Sequence, residues 1–162
     1  MTGKTRVLFV CLGNIVRSPL AEALFLHLVE ETGLGDKYEG DSAGTSAYHI
    51  GEGPDARMRQ VAAENGLLYE GRSRQVQPKD FDQFDLLIAM DKSNYANLVR
   101  MTKSSEKQAK VHLMRSFDPE GAKEDSVPDP YYGGIEGFHN TFVIVERSVR
   151  GLLEALEAGE ID

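Results

Sequence analysis

The chain has 162 residues, of which 41% are hydrophobic and 27% charged, and its formal net charge at pH 7 is -8. These proportions are ordinary for a globular protein, and the length suits one domain spanning residues 1–162. The acidic balance argues against nucleic acid as a general partner. No apolar run approaches the roughly 18 residues of a membrane span, and the four-residue run before Cys11 is too short for a signal peptide. We therefore expect a cytoplasmic protein that does not associate with membranes, and a monomer is the simplest expectation for its oligomeric state.

Cysteine and histidine usage limits the cofactors. Cys11 is the only cysteine in the sequence, so neither an intrachain disulfide nor a thiolate metal cluster can form. The histidines are scattered without metal-ligand spacing and are predicted to be ordinary surface or packing residues: His27, His49, His112 and His139. No cofactor and no metal site is predicted.

The first predicted element is the continuous apolar run Val7-Leu8-Phe9-Val10, which is typical of a strand buried on both faces. Ser18-Pro19 begins a helical pattern, since proline is favoured at the first helical position, where its missing N–H would be unpaired anyway. Tyr38 to Ser42 is a weaker candidate for a strand, and it is closed by Gly44.

The remaining elements continue the alternation of helices and strands. The sequence predicts, in order, a helix from Pro54-Asp55 to Glu64, a buried strand from Asp85 to Met90, a helix from Ser93 to Met101, a strand from Lys110 to Met114, a loop from Ser116 to Gly134 and an amphipathic helix from Phe138 to Leu156. This alternation implies right-handed crossovers and a parallel α/β sheet covered by helices on both faces. Ligands of such sheets bind beyond the carboxyl ends of the strands, which directs attention to Cys11.

The segment from Cys11 to Ser18 joins the first strand to the first helix and has the composition of an anion-binding loop. Gly13 and Asn14 are the residue types that most readily adopt left-handed backbone angles, so this bend can turn successive N–H groups inward. The helix N-terminus adds further free N–H groups and the positive end of its dipole. Arg17 can bind two phosphate oxygens with its planar guanidinium. The segment therefore predicts a phosphate cradle.

Cys11 lies at the near edge of this cradle, where its sulfur could act as a nucleophile. A free thiol has a pKa of about 8.5, so little of it is thiolate at pH 7. Inward N–H groups and Arg17 would stabilise the thiolate, and we expect it to dominate. The sulfur could then attack phosphorus in line while the cradle binds the equatorial oxygens of the transition state.

Hydrolysis of an aryl phosphate also needs an acid for the leaving group. Asp129 lies between Pro128 and Pro130 in the long loop, and the prolines would stiffen its backbone. It is either this acid or a plain turn residue. Tyr131 and Tyr132 are either packing aromatics or a wall for an aromatic ring. Ser18 either caps the helix or donates a hydrogen bond to the sulfur.

Taken together, these motifs resemble the low molecular weight protein tyrosine phosphatase family. The matching segments are Cys11-Leu12-Gly13-Asn14-Ile15-Val16-Arg17-Ser18-Pro19, Asp41-Ser42-Ala43-Gly44-Thr45, Gly51 with Pro54-Asp55 and Arg57, Phe84-Asp85, Ala89-Met90-Asp91 and Asp129-Pro130-Tyr131-Tyr132-Gly133. The resemblance extends from Val7 to the last helix. It implies a three-layer, flavodoxin-like fold with a four-stranded parallel sheet, and metal-free hydrolysis of phosphotyrosine in proteins through a cysteinyl-phosphate intermediate.

The resemblance also implies roles for individual residues. Cys11 is expected to be the nucleophile, Arg17 the phosphate clamp, and Asp129 the general acid and then the base that activates water. The cradle itself comprises Leu12, Gly13, Asn14, Ile15, Val16 and Ser18. Asn14, Ser18 and Ser42 are expected to form the polar network that fixes the loop, whereas the cleft walls are Leu12, Tyr48, Tyr131 and Tyr132. Inorganic phosphate and vanadate are expected to inhibit.

Two positions depart from the family pattern. The family usually has a second cysteine directly before the arginine, which is thought to capture the oxidised nucleophile as a disulfide, and this chain has Val16 there. Some members also have a histidine, which joins the loop's hydrogen-bond network, near the position of Gly71. That network must therefore be completed differently here.

Three other functions are less favoured. A protein-arginine phosphatase of the same family would have threonine where Ile15 stands, and Ile15 favours an aromatic phosphoester. An arsenate reductase on this fold needs further cysteines, which the chain lacks. A phosphate-binding module without catalysis could have lost Cys11 and Asp129, yet both are present.

Overall fold

The computed structural model describes residues 3–121 and 126–161. Its strands are β1 (Thr5–Cys11), β2 (Tyr38–Gly44), β3 (Leu86–Ala89) and β4 (Val111–Leu113). Its helices are α1 (Arg17–Glu31), α2 (Ala56–Glu64), α3 (Asp80–Gln83), α4 (Lys92–Arg100), α5 (Ser105–Gln108) and α6 (Ile135–Glu157), and a 3₁₀ helix spans Met114–Phe117. Within these ranges, every helix lacks the length or the continuous apolar surface that a membrane span requires.

The four strands form one parallel sheet in the order β2-β1-β3-β4. β1 is central, and its run from Val7 to Val10 is completely buried. Because side chains alternate along a strand, Val7 and Phe9 pack into one core with α1, α2 and α6, whereas Leu8 and Val10 pack into a second core with α3 and α4. The predicted three-layer fold with helices on both faces is therefore confirmed.

Successive strands are added to the sheet in opposite directions on the two sides of β1, since β2 pairs with one edge of this strand and β3 with the other. Loops that follow neighbouring strands on either side of such a switch point diverge and leave a crevice at the carboxyl ends. The loop after β1 begins at Cys11. The topology thus opens the predicted site at the end of the central strand.

Several element boundaries differ from those predicted. Helix α1 begins at Arg17, so Pro19 is its third residue rather than its first. Proline fits there because the N–H groups of the first helical turn lack intrahelical partners. Met114 begins the 3₁₀ helix instead of ending β4. The predicted loop from Ser116 begins inside that 3₁₀ helix, and its positions 122–125 lie outside the described residues.

A buried carboxylate ties the 3₁₀ helix to α6 and so fixes the start of the long loop. Asp118 accepts hydrogen bonds from Nε and Nη2 of Arg147, at 2.6 and 2.9 Å, and from Nε of Arg115 at 3.1 Å. The hydrogen bonds from Arg147 hold the pKa of Asp118 below its ordinary value, although burial opposes this shift. The ionised carboxylate therefore stabilises the junction at neutral pH.

Gly151 marks a point where α6 and the 3₁₀ helix touch. A Cβ atom at this position would overlap the carbonyl oxygen of Phe117. Alanine normally stabilises a helix interior by about 1 kcal/mol relative to glycine. Here we expect Gly151→Ala to lower the free energy of unfolding by about 1–3 kcal/mol, because the backbones must separate. Urea unfolding measures this change.

Gly137 in the same helix provides the matched control. A Cβ atom there would meet the nearest side-chain atom, of Pro130, at 3.4 Å, which is an ordinary contact. Gly137→Ala should be neutral or stabilising. Equal stabilities of the two variants would contradict the close packing at Gly151.

Candidate active site

The loop between β1 and α1 bends around the sulfur of Cys11. Asn14 adopts the left-handed conformation, with φ of 56°, and its N–H lies 3.3 Å from Cys11 Sγ. Ser18 Oγ lies 3.0 Å from the same sulfur. A thiolate can only accept hydrogen bonds, so both groups would stabilise the ionised form. Among the described residues no side chain caps α1, so the geometry favours Ser18 as a hydrogen-bond partner of the sulfur rather than as a helix cap.

The loop also presents unpaired backbone donors. Within the described part of the chain, no protein acceptor binds the N–H groups of Gly13, Ile15, Val16, Arg17 and Ser18. Unpaired N–H groups at a helix N-terminus favour an anion, and the helix dipole adds to the effect. The loop therefore has the donors that a phosphate cradle requires.

Asn14 holds the loop in this shape. Its side-chain amide donates to Ser18 Oγ at 2.9 Å, and its Oδ1 accepts from the N–H of Arg74 at 3.0 Å. Its carbonyl oxygen accepts from the hydroxyl of Ser73 at 2.6 Å. Ser73 and Arg74 were not predicted as supporting residues. Together they complete the network of hydrogen bonds around Asn14.

The prediction for Ser42 needs correction. Among the described residues, its hydroxyl hydrogen-bonds Glu22 Oε1 at 2.6 Å and not the loop. Burial raises the pKa of Glu22, although the hydrogen bond from Ser42 opposes this shift. Both residues line a small cavity behind the loop, of about 90 Å³, which Asn14 and Ser73 also line. Ser42 therefore lies behind the network without a hydrogen bond to it.

Arg17 is one of the largest fully buried side chains in the described structure, with 2% of its surface exposed. Its Nη1 donates to Asp91 Oδ2 at 2.8 Å and to the carbonyl oxygen of Val127 at 2.9 Å. These two acceptors fix the guanidinium through Nη1, and the donors on Nε and Nη2 remain for Asp129 and a ligand. Asp91, which also caps α4, was not assigned a role from the sequence. Its position directly after a buried strand was an available signal.

Asp129 lies beside Arg17 in the cleft. Its Oδ2 is 3.5 Å from Arg17 Nη2, and its Oδ1 accepts from the N–H of Tyr131 at 3.1 Å. A backbone hydrogen bond just before Asp129 anchors this loop to the end of β3, because the N–H of Val127 donates to the carbonyl oxygen of Met90 at 2.7 Å. Asp129 is thus next to the guanidinium while its side chain stays 37% exposed.

The cleft over the loop has a volume of about 470 Å³. Of the predicted residues it brings together Cys11, Leu12, Gly13, Ile15, Val16, Arg17, Tyr48, Asp129, Tyr131 and Tyr132, and it adds Ser46 and His49. Asn14 and Ser18 are buried beneath it. Tyr48 and Tyr132 are 83% and 96% exposed, so they form the outer rim rather than the inner wall.

Arg57 supports the wall from behind. Its guanidinium lies 5.4 Å from the ring centre of Tyr131 and 4.5 Å from that of Phe138, and its Nη2 donates to Asp55 Oδ2 at 3.0 Å. The N–H of Asp55 donates in turn to the carbonyl oxygen of Ile15 at 2.8 Å. Cation–π and hydrogen-bond contacts therefore link the cradle to the loop that contains Asp129.

The fold and the site define a parallel α/β protein in which a loop of unpaired backbone amides surrounds a thiol at the end of the central strand. A family model for low molecular weight phosphotyrosine protein phosphatases matches residues 6–160. The chain belongs to this family, which confirms the resemblance.

Similar proteins agree with this assignment. The chain is 47% identical over 152 residues to a low molecular weight protein-tyrosine-phosphatase of Streptomyces coelicolor, with 93% of each chain covered. A solved protein tyrosine phosphatase from Entamoeba histolytica, with Hepes in its active site, aligns with a TM-score of 0.92 at 41% identity and covers 97% of this chain and 99% of that one. A Drosophila arginine phosphatase aligns with a TM-score of 0.85 at 35% identity over 93% and 97% of the two chains.

Proposed function

We propose that this chain hydrolyses phosphotyrosine in proteins through a cysteinyl-phosphate intermediate on Cys11. The observation that carries the proposal is the pair of donors on Cys11 Sγ, from Asn14 N–H and Ser18 Oγ, at the centre of a loop of unpaired amides. Such a setting favours an ionised sulfur and a bound phosphoryl group together. The names of its relatives agree with this activity.

In the first step, the thiolate attacks phosphorus and the bond from phosphorus to the phenolic oxygen breaks. Loop amides and Arg17, oriented by Asp91, bind the equatorial oxygens of the transition state. Asp129 donates a proton to the leaving phenolate. The products of this step are the free phenol and a phosphorylated Cys11.

In the second step, Asp129 takes a proton from water, which attacks the cysteinyl phosphate. The bond from sulfur to phosphorus breaks and inorganic phosphate leaves. Ser18 assists by donating its hydrogen bond to the departing thiolate. This step restores the enzyme without a cofactor.

We also propose that the chain acts as a cytoplasmic monomer formed by one domain, residues 1–162. Inorganic phosphate and vanadate should inhibit competitively, because each presents oxygens that the cradle amides and Arg17 can bind. Protein phosphotyrosine is the proposed substrate, and neither nucleic acid nor membrane is a proposed partner.

Steady-state kinetics test the function on three versions of one peptide sequence. The versions differ only in the phosphorylated residue, which is phosphotyrosine, phosphoserine or phosphoarginine. We expect kcat/KM to be highest for phosphotyrosine, because the cleft is lined by Leu12, Ile15 and Tyr131. A preference for phosphoarginine would contradict the proposal and would support a protein-arginine phosphatase instead. Cys11→Ser protein is the control for contaminating phosphatases.

Val16 leads to a prediction about oxidation. Peroxide converts the Cys11 thiolate to a sulfenic acid, and the single cysteine leaves it no resolving partner. A second thiol at position 16 could condense with it to form a disulfide and release water. We expect peroxide to inactivate the natural chain more readily and less reversibly than Val16→Cys, as measured by activity recovered after thiol treatment. Equal recovery of activity in the natural chain and in Val16→Cys would argue against a protective role for a second thiol.

A further inference from the structure

His49 is a cleft residue that the sequence did not single out. It lies between β2 and α2, and only 16% of its side chain is exposed. Its ring edge covers the phosphate loop so closely that a Cβ atom at Gly13 would come within 2.9 Å of His49 Cδ2 and 3.7 Å of Nε2. The ring also packs against Tyr48 and Tyr131, with centroids 4.8 and 5.9 Å away.

The hydrogen bond on the other side of the ring determines what His49 presents to the cleft. His49 Nδ1 is 3.0 Å from Glu52 Oε1. An ionised carboxylate can only accept, so Nδ1 carries the hydrogen in the neutral ring. Nε2 then carries a lone pair. It becomes an N–H donor only when the imidazole is protonated, which a histidine can do near physiological pH.

The charge of this pair changes beside an anion site. With a neutral ring, the pair of His49 and Glu52 carries one negative charge, whereas with a protonated ring it is neutral. A phosphoryl dianion on the loop is repelled by the first state and not by the second. The other ionisable side chains that face this cleft are Cys11, Arg17, Asp129, Tyr48, Tyr131 and Tyr132.

We propose that His49 is a proton-linked anion-binding residue, which strengthens binding of the substrate's phosphoryl group when its imidazole is protonated. As a statement about substrate it rests on the proposed function. By linkage, binding of a dianion draws a proton from solvent onto His49. The residue thus sets KM and its pH dependence, and it contributes little to kcat.

Sulfate binding tests the proposal without turnover, and sulfate stays a dianion throughout the pH range of interest. Titration calorimetry at about pH 5.5 and about pH 8 compares the natural chain with His49→Gln, which keeps a neutral side chain of similar size. For each protein, the sulfate affinity at the lower pH is divided by the affinity at the higher pH. We expect this ratio to be about tenfold larger for the natural chain than for His49→Gln. In proton NMR, the titration midpoint of the His49 ring should move to higher pH when sulfate is added.

His27 provides the matched control. It pairs with Glu31 at 3.4 Å on the surface of α1, and it does not line the cleft. His27→Gln should keep the pH dependence of the natural chain. Identical pH dependence in His49→Gln and the natural chain, or a His49 midpoint that sulfate does not move, would overturn the proposal. If the natural chain binds sulfate with this proton linkage but does not hydrolyse aryl phosphates, only the proposed function is overturned.

Discussion

Replacing Cys11 with serine is expected to reduce aryl phosphate turnover by at least about 10⁴-fold while phosphate and vanadate still bind. A serine hydroxyl stays protonated in a site that stabilises a thiolate, so no nucleophilic anion remains. The proposed anion cradle consists of backbone amides and Arg17, and neither is altered by the exchange. Chemistry and binding should therefore separate.

Two measurements check this separation. Mass spectrometry of protein quenched during turnover should detect phosphate on Cys11 in the natural chain and none in the variant. Calorimetry should show phosphate affinities within about threefold of each other, a difference below 1 kcal/mol. Urea midpoints control for folding, because Cys11 is buried. Turnover retained by Cys11→Ser would exclude this residue as the nucleophile.

Asp129→Ala is expected to slow aryl phosphate hydrolysis by about 10²–10⁴-fold, since the leaving phenolate then departs without a proton. Asp129 is the exposed carboxylate beside the guanidinium of Arg17. The loss should grow as the leaving group becomes more basic, because poor leaving groups depend most on the acid. Rates for a series of substituted phenyl phosphates measure this dependence.

Asp129→Asn provides the matched variant. An amide keeps an oxygen that can accept from the N–H of Tyr131, so the turn is retained while the acid is lost. Both variants should therefore be slow to a similar degree. A loss below about threefold in Asp129→Asn would remove Asp129 from the acid role and leave a structural role in the turn.

The sequence predicted the central elements of the fold because their signals are strong and local. The apolar run of β1 is continuous, and α6 keeps its three- and four-residue spacing over 23 residues. Helices α3 and α5 were missed because each has four residues, which is too short for a periodic signal. Their formation depends on local caps, such as Ser104 at α5, and on packing from the rest of the chain.

The residues of the candidate site could be predicted where they are contiguous in the sequence, and they were missed where the fold brings them together. Cys11, Arg17 and Ser18 belong to one short segment that runs from the end of β1 into α1, so their chemistry can be inferred from composition and position. Asp91 and His49 come from other strand ends, and nothing in their local sequence states that they approach this loop. The sequence predicts that Ser42 supports the loop, whereas in the structure Ser73 does so. Only the three-dimensional packing distinguishes these two hydroxyl groups.

Ionisation of the thiol tests the proposed chemistry most directly. Because the chain has one cysteine, its ultraviolet thiolate absorbance belongs to Cys11 alone and can be followed against pH in folded and in denatured protein. The folded protein should keep its thiolate to a lower pH than the denatured chain does, because the free thiol lacks the donors of the loop. Coincident titration curves would contradict a loop that stabilises the ionised sulfur.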